Sequence, residues 1–79
     1  MNPVALYFDA SFSFPDCDAI IVARIVLFQI HKAVLARHCP VLATRLERSV
    51  ELWHGCPILR VSDTPYDIRE MLRFAYDLR

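Results

Sequence analysis

Residues 26–46, VLFQIHKAVLARHCPVLATRL, decide the fold of this protein. The segment begins as a strand, because Val26, Phe28 and Ile30 place an apolar side chain at every second position. After His31 the apolar residues follow helical spacing. No glycine or proline separates the two patterns, so we expect the strand to run directly into the helix. Such a joint places the inner face of the strand and the apolar side of the helix in one core.

The composition is unusually apolar for so short a chain. Hydrophobic residues make up 56% of the 79 residues. A chain of this size forms one domain and buries only ~60–65% of the surface that its unfolded form exposes. We therefore expect apolar side chains on the surface of a lone copy, which favours self-association or binding to another protein.

Charge and hydropathy exclude two classes of partner. The nine basic and nine acidic residues balance and are scattered along the chain. Nucleic-acid binding requires several lysine or arginine side chains on one face. The most apolar window, residues 19–30, has 12 residues and contains Arg24, whereas a membrane helix needs about 20 apolar residues. We expect neither a nucleic-acid nor a membrane partner.

The cysteines indicate the compartment. The chain has three cysteines, Cys17, Cys39 and Cys56, and an odd number cannot all form disulfides within one chain. Free thiols are typical of reducing compartments. We expect an intracellular protein, cytoplasmic or nuclear.

Short apolar runs and turn signals predict the order of the elements. Residues 1–16 are predicted to be an N-terminal arm or an edge strand, and residues 51–57 a loop. The predicted strands are 19–23, 26–30 and 58–61, with the first two antiparallel, and the predicted helical hairpin is 31–38 and 40–49. This arrangement predicts an α+β fold with a small three-stranded sheet, a helical hairpin and a further C-terminal helix.

That last helix has the clearest signals. Thr64 is in position to cap it, Pro65 suits its first turn, and Asp67 stands three residues after the cap. An apolar stripe follows at helical spacing. Its members are Ile68, Met71, Leu72, Ala75 and Tyr76. Because the sequence ends while the stripe continues, we expect it to be exposed in a lone copy and to form an interface.

With these elements placed, the sequence resembles the BTB/POZ domain family over residues 18–76. The resemblance is carried by Asp18 and by the pattern F-x-x-H-K-x-x-L, formed by Phe28, His31, Lys32 and Leu35. Two further matches are the strand ILRV at 58–61 and the helix end LRFAY at 72–76. On this basis residues 17–79 are expected to be a BTB/POZ-like core, incomplete at its C-terminal end.

The resemblance implies a protein–protein interaction module without catalysis and without a cofactor. Members commonly form homodimers, and some are adaptors that recruit corepressors or bind cullin-based ubiquitin ligases. Much of the cullin-contacting surface lies in later helices that this sequence lacks. We therefore expect a protein partner or a homodimer, and a cullin-type ligase scaffold is the less favoured alternative.

The resemblance also implies candidate site residues. Asp18 and Lys32 match two positions that form a charged, partner-binding pocket in some members. The alternative is a structural pair in which Asp18 accepts hydrogen bonds from nearby backbone N–H groups. We interpret His31 as a packed side chain whose ring nitrogens bond local backbone groups.

A small zinc-binding domain is the alternative function. His38 and Cys39 are adjacent, and His54 and Cys56 are two residues apart. Structural zinc ligands usually come in pairs separated by two to four residues, so this spacing fits poorly and we predict no metal site. Catalysis by Cys39 with His38 is also not expected, because adjacent helical side chains point in different directions.

Overall fold

The computed structural model describes residues 6–77, which contain five strands and three helices. In chain order these are β1 (Tyr7–Ser13), β2 (Ala19–Ala23), β3 (Val26–Ile30), α1 (Lys32–His38), α2 (Pro40–Glu47), β4 (Leu52–Trp53), β5 (Cys56–Val61) and α3 (Pro65–Ala75). The predicted α+β class and the strand-to-helix joint at His31 are confirmed.

One mixed sheet contains all five strands in the order β1-β3-β2-β5-β4. The hairpin of β2 and β3 forms its centre, and Ala23 pairs with Val26 next to the turn. β1 runs parallel to β3, and β5 runs parallel to β2. Residues 9–12 of β1 stand opposite Phe28 alone, so this edge strand bulges out of register.

The three helices pack on one side of the sheet, which we call the helix-covered face. Its core joins Ile21 of β2 and Phe28 of β3 to Leu35 of α1, Leu46 of α2 and Leu72 of α3. All five side chains are buried. The apolar stripes of the helices therefore meet alternate residues of the strands, as the two sequence periods require.

The other side of the sheet, which we call the open face, carries a separate apolar cluster. Its buried members are Ile20, Val22, Leu27 and Ile58. None of the helices in the described chain contributes a buried residue to this cluster. β2 is an unbroken run of five apolar residues because it is buried on both faces.

The sheet has two strands more than the predicted three. Within the predicted arm or edge strand of residues 1–16, residues 7–13 form the edge strand β1, while residues 1–5 lie outside the described chain. The prediction of a loop over residues 51–57 was wrong, because β4 and β5 form a hairpin there. His54 and Gly55 have φ values of 50° and 81°, and a two-residue type I′ turn needs two positive values.

The predicted exposure of the C-terminal stripe was also wrong. Ile68, Leu72 and Ala75 of α3 are buried within the chain itself. An aromatic side chain of β1 supplies cover, since Phe12 lies in the same core and its ring centroid is 5.7 Å from that of Tyr76. These three residues are part of the core and are not a free interface, whereas Met71 and Tyr76 are half-buried.

Candidate interaction surfaces

The start of α1 is capped by a carboxylate from the start of β2. The backbone N–H of Lys32 donates to Oδ1 of Asp18 at 2.7 Å, while the N-cap residue His31 makes no side-chain capping bond. A carboxylate at this position satisfies a free helical N–H and interacts favourably with the helix dipole. The ion pairs of the described residues include none between the Lys32 ammonium and Asp18. The two residues meet through the Lys32 backbone, and their role in binding a partner stays a prediction.

A chain of hydrogen bonds surrounds His31 at the same joint. The His31 backbone N–H donates to the Tyr76 hydroxyl at 2.8 Å, and Nδ1 of the ring lies 3.0 Å from the same oxygen. Nε2 lies 3.0 Å from Oδ1 of Asp16. Since the Tyr76 oxygen accepts from the backbone, its own hydrogen is available to Nδ1. Both ring nitrogens of His31 thus have a side-chain partner, the Tyr76 hydroxyl at Nδ1 and the Asp16 carboxylate at Nε2.

The partners of the His31 ring differ from those we predicted. Its nitrogens contact side chains and not local backbone groups, because the segment after β1 folds over the joint and brings Phe14 and Asp16 to it. The Phe14 ring centroid lies 4.9 Å from that of His31 and 5.1 Å from that of Tyr76. Burial, the largest cause, raises the pKa of the Tyr76 hydroxyl above its usual value. The site is therefore a packed structural joint.

A buried carboxylate fastens the edge strand β1 to helix α3. Asp9 accepts hydrogen bonds from the N–H groups of Ser11 (2.9 Å) and Phe12 (3.2 Å), which shape the bulge. Its second oxygen receives the Nε–H of Arg69 at 2.7 Å. The Asp9 side chain is only 4% exposed, and a carboxylate this buried needs a partner such as Arg69 to offset its loss of solvent. β1 is thus held within its own chain by a contact across 60 residues.

Two exposed aromatic side chains cover the open face, and we call them the aromatic ridge: Phe8 and Trp53. Phe8 pairs with Leu27, and Trp53 pairs with Cys56, which packs against the open-face cluster. Paired residues share a face, so both aromatics lie on the open face. They come from the two opposite edges of the sheet, yet their ring centroids are 5.9 Å apart. The sheet therefore curls until its edges meet over the cluster.

The helical layer offers a second, shallower feature. Ala33, Ala36 and Ala43 line a groove between α1 and α2, with Lys32 and Glu47 among its lining residues. Alanine side chains leave room for close approach but supply little apolar area. This groove is a weaker candidate for protein binding than the aromatic ridge.

The described residues offer neither a metal site nor a membrane-spanning helix. Residues 6–77 contain no group of three or more His, Cys, Asp or Glu side chains placed to hold a metal ion. The zinc alternative therefore has no site there. No helix among these residues has both the length and the apolar character needed to span a bilayer.

Comparison with known families decides the class. The family model of the BTB/POZ domain matches residues 8–79, nearly the whole chain. This chain belongs to the BTB/POZ family. Neither the curated proteins nor the solved structures that were searched give a match. BTB/POZ domains are protein–protein interaction modules and are generally without catalytic activity, which agrees with the α+β fold and with a surface rich in apolar side chains.

The BTB/POZ match begins inside β1, at Phe8, and so includes the edge strand that carries half of the aromatic ridge. Sequence reasoning missed the contact of Phe8 with Trp53 and the pairing of Asp9 with Arg69. A signal existed for Asp9, because a lone carboxylate among alternating apolar residues requires a cationic or hydrogen-bonding partner. No signal in the sequence pairs the two ridge aromatics, since their strands lie at opposite edges of the sheet.

Proposed function

We propose that this BTB/POZ domain binds a second copy of itself through the aromatic ridge. The observation that carries the proposal is the exposure of the ridge. Phe8 is 51% and Trp53 37% exposed, although the two rings touch each other. Aromatic side chains are enriched in protein interfaces and dominate their binding energy.

The surroundings of the ridge support an interface. Leu6, two residues before Phe8, is also exposed, and large exposed apolar side chains close together often mark an interaction site. Arg60 and Glu51 form an ion pair at 2.7 Å, and the pairing of Val22 with Arg60 puts this arginine on the open face. An apolar centre beside paired charges is the usual anatomy of a protein interface.

Electrostatics favours a second copy as the occupant. The formal net charge is zero, so two identical chains approach without net repulsion. In a two-fold symmetric dimer each ridge meets a matching ridge, and self-complementary apolar contact needs no charge pattern.

Sedimentation velocity over micromolar to millimolar protein tests this proposal. We expect concentration-dependent association of the wild type, and a dissociation constant at least ~10-fold weaker for Trp53→Ser and for Phe8→Ser. The matched control is Phe74→Ser on α3, because Phe74 is 80% exposed but lies on the helical layer. It should associate like the wild type.

Two outcomes would refute self-association through the ridge. One is a wild type that stays monomeric over the whole range. The other is equal weakening by Phe74→Ser and Trp53→Ser, since that would place the contact elsewhere or make it non-specific. Circular dichroism of each variant shows whether a loss of association reflects unfolding.

A different protein partner at Asp18 and Lys32 is the second candidate, favoured by the exposure of both residues. Lys32→Ala should leave the unfolding free energy nearly unchanged, because the bond to Asp18 uses the backbone N–H. Asp18→Ala should lower it by ~1 kcal/mol through loss of the cap. A purely structural pair would show the second effect and no change in partner binding for Lys32→Ala.

We propose that the protein is intracellular, in the cytoplasm or the nucleus. Its three cysteines are free thiols in the structure, and reducing compartments maintain that state. BTB/POZ proteins are generally intracellular. Localisation of the tagged full-length protein tests this, and secretion would contradict it.

A further inference from the structure

Two of the three cysteines meet at one end of the sheet. The Sγ of Cys56 lies 3.7 Å from the backbone oxygen of Cys17, although 39 residues separate them in sequence. Both side chains are half-buried free thiols. Cys39 lies at the joint of α1 and α2, packed against the core of the helix-covered face.

The register of the sheet brings the two segments to the same end of adjacent strands. β2 and β5 are neighbouring parallel strands, paired from Ile20 and Ile58 onward. Continued toward the strand starts, this register sets Asp18 beside Cys56 and Cys17 one residue further on. Cys17 and Cys56 are therefore diagonal neighbours at the starts of two adjacent strands, and the contact of the Cys56 Sγ with the Cys17 backbone oxygen shows how close they are.

We propose that Cys17 and Cys56 are a reversible redox pair, reduced in the resting protein and joined by an intrachain disulfide when hydrogen peroxide is present. One thiolate attacks the peroxide and becomes a sulfenic acid, which releases hydroxide. The second thiol attacks the sulfenic sulfur, the S–S bond forms, and water leaves. In total two thiols and one peroxide give one disulfide and two waters, and two electrons pass from sulfur to oxygen.

The chemistry of Cys17 sets the pH at which the reaction runs. Burial, followed by the neighbouring Cys56 thiol, raises the pKa of Cys17 above its usual value. Only the thiolate is nucleophilic, so oxidation that begins at Cys17 accelerates as the pH rises past the range of an ordinary thiol. Cys17 is thus kept mainly as the thiol at neutral pH.

The first test uses the wild-type chain and hydrogen peroxide. We expect the intact mass to fall by two hydrogen atoms, and a protease digest to contain one linked peptide joining Cys17 to Cys56, with Cys39 still alkylatable. Dithiothreitol should reverse the change. Linkage to Cys39, or oxygen adducts without linkage, would overturn the proposal.

Variants and the denatured chain separate native proximity from chance encounter. Cys39→Ser should cross-link as fast as the wild type, whereas Cys17→Ser and Cys56→Ser should give no intrachain disulfide. Cross-linking should be at least ~10-fold faster in the native protein than in denaturant, where the ends of a long loop meet rarely. Equal rates in the two conditions would overturn the proposal.

The oxidised protein gives a readout that does not depend on any variant. A disulfide closing a loop of this length should raise the Tm by roughly 10 °C or more. An oxidised form that melts below the reduced form would show that the native geometry does not fit the bond, and would also overturn the proposal.

Discussion

The two faces of the sheet are equally buried but are covered by different means. Ile20 and Ile21, neighbours on β2, are both fully buried and point to opposite faces. Above Ile21 lie three helices with apolar stripes of their own. Above Ile20 lie side chains from the rims of the same sheet, and the largest of these remain half-exposed. A buried residue can therefore lie on a face that still binds a partner. Whether the face is accessible depends on which groups cover it.

The largest expected effect tests this comparison directly. Ile21→Ala should lower the free energy of unfolding by ~4 kcal/mol, and Ile20→Ala by ~2 kcal/mol. The difference is expected because the helices prevent the cavity left by Ile21→Ala from closing. The ridge side chains are free to move into the cavity left by Ile20→Ala. Urea unfolding at equilibrium measures both. Ile→Val at each position, with a cost of ~1 kcal/mol, serves as the matched control. Equal costs for the two alanine variants would mean that the faces are equally rigid.

The next effect concerns the ion pair that joins the two layers. Arg69→Leu removes the cation beside the buried Asp9 and should cost ~2–3 kcal/mol. This loss of stability is smaller than that expected for a fully buried ion pair, because the Arg69 side chain is 38% exposed and solvent screens its charge. Adding Asp9→Asn should restore part of the loss in chemical denaturation. An Arg69→Leu protein as stable as the wild type would show that β1 does not depend on α3.

Tyr76 provides a test confined to the helix-covered face. Tyr76→Phe removes the acceptor of the His31 N–H and should cost ~1–2 kcal/mol at neutral pH. Burial raises the pKa of Tyr76 above 10.0, so the folded state retains a proton that the unfolded chain loses. Stability should therefore fall as the pH rises above about 10 through the folded-state pKa.

The pH dependence separates Tyr76 from Cys17. The pKa of Cys17 is also raised, above 9.0, and contributes with the same sign. Thermal unfolding between pH 8 and 11 should consequently decline less steeply for Tyr76→Phe than for the wild type. Parallel curves would assign the alkaline loss to other groups.

On the open face, the contact between the ridge rings has a smaller expected effect. A double-mutant cycle with Phe8→Ala and Trp53→Ala should give a coupling energy of ~0.5–1.5 kcal/mol, typical of aromatic pairs at this spacing. Urea unfolding at a concentration below association measures it. A coupling near zero would mean that the edges of the sheet do not meet in solution.

The smallest effect is a gain in stability at the hairpin between β2 and β3. Arg24 has a φ of 56°, a conformation that disfavours side chains with a Cβ. Arg24→Gly should relieve this strain and stabilise the protein by ~0.5 kcal/mol, as judged from the Tm. Arg24→Ala, which keeps the Cβ, is the control and should give no gain.

Local patterns in the sequence were sufficient for the central elements. The hairpin of β2 and β3, the joint at His31 and the cap of α3 were predicted, and in the structure the Thr64 hydroxyl accepts from the N–H of Asp67 at 3.1 Å. Each depends on residues within a few positions of one another. The hairpin at His54 and Gly55 was missed although its turn residues are adjacent, because β4 is only two residues long and shows no alternation.

The candidate site was harder to predict, because it is assembled from distant residues. His31 was placed correctly in the joint, but its partners Asp16 and Tyr76 arrive from opposite ends of the chain. The stripe on α3 was correctly read as apolar. The burial of the stripe could not be predicted, because the residues that cover it belong to β1. The parallel pairing of β1 with β3 produces no local pattern in the sequence.

The sequence by itself determined the class of the protein, the period and order of its main elements, and the BTB/POZ pattern that runs through them. These follow from short-range rules of backbone geometry and side-chain spacing. Only the tertiary structure decided which apolar side chains are buried in the core and which remain exposed for contact with a partner. The reason is physical: burial depends on which distant segment lies on top of a residue, and the curl of the sheet brings Phe8 and Trp53 together from its two ends.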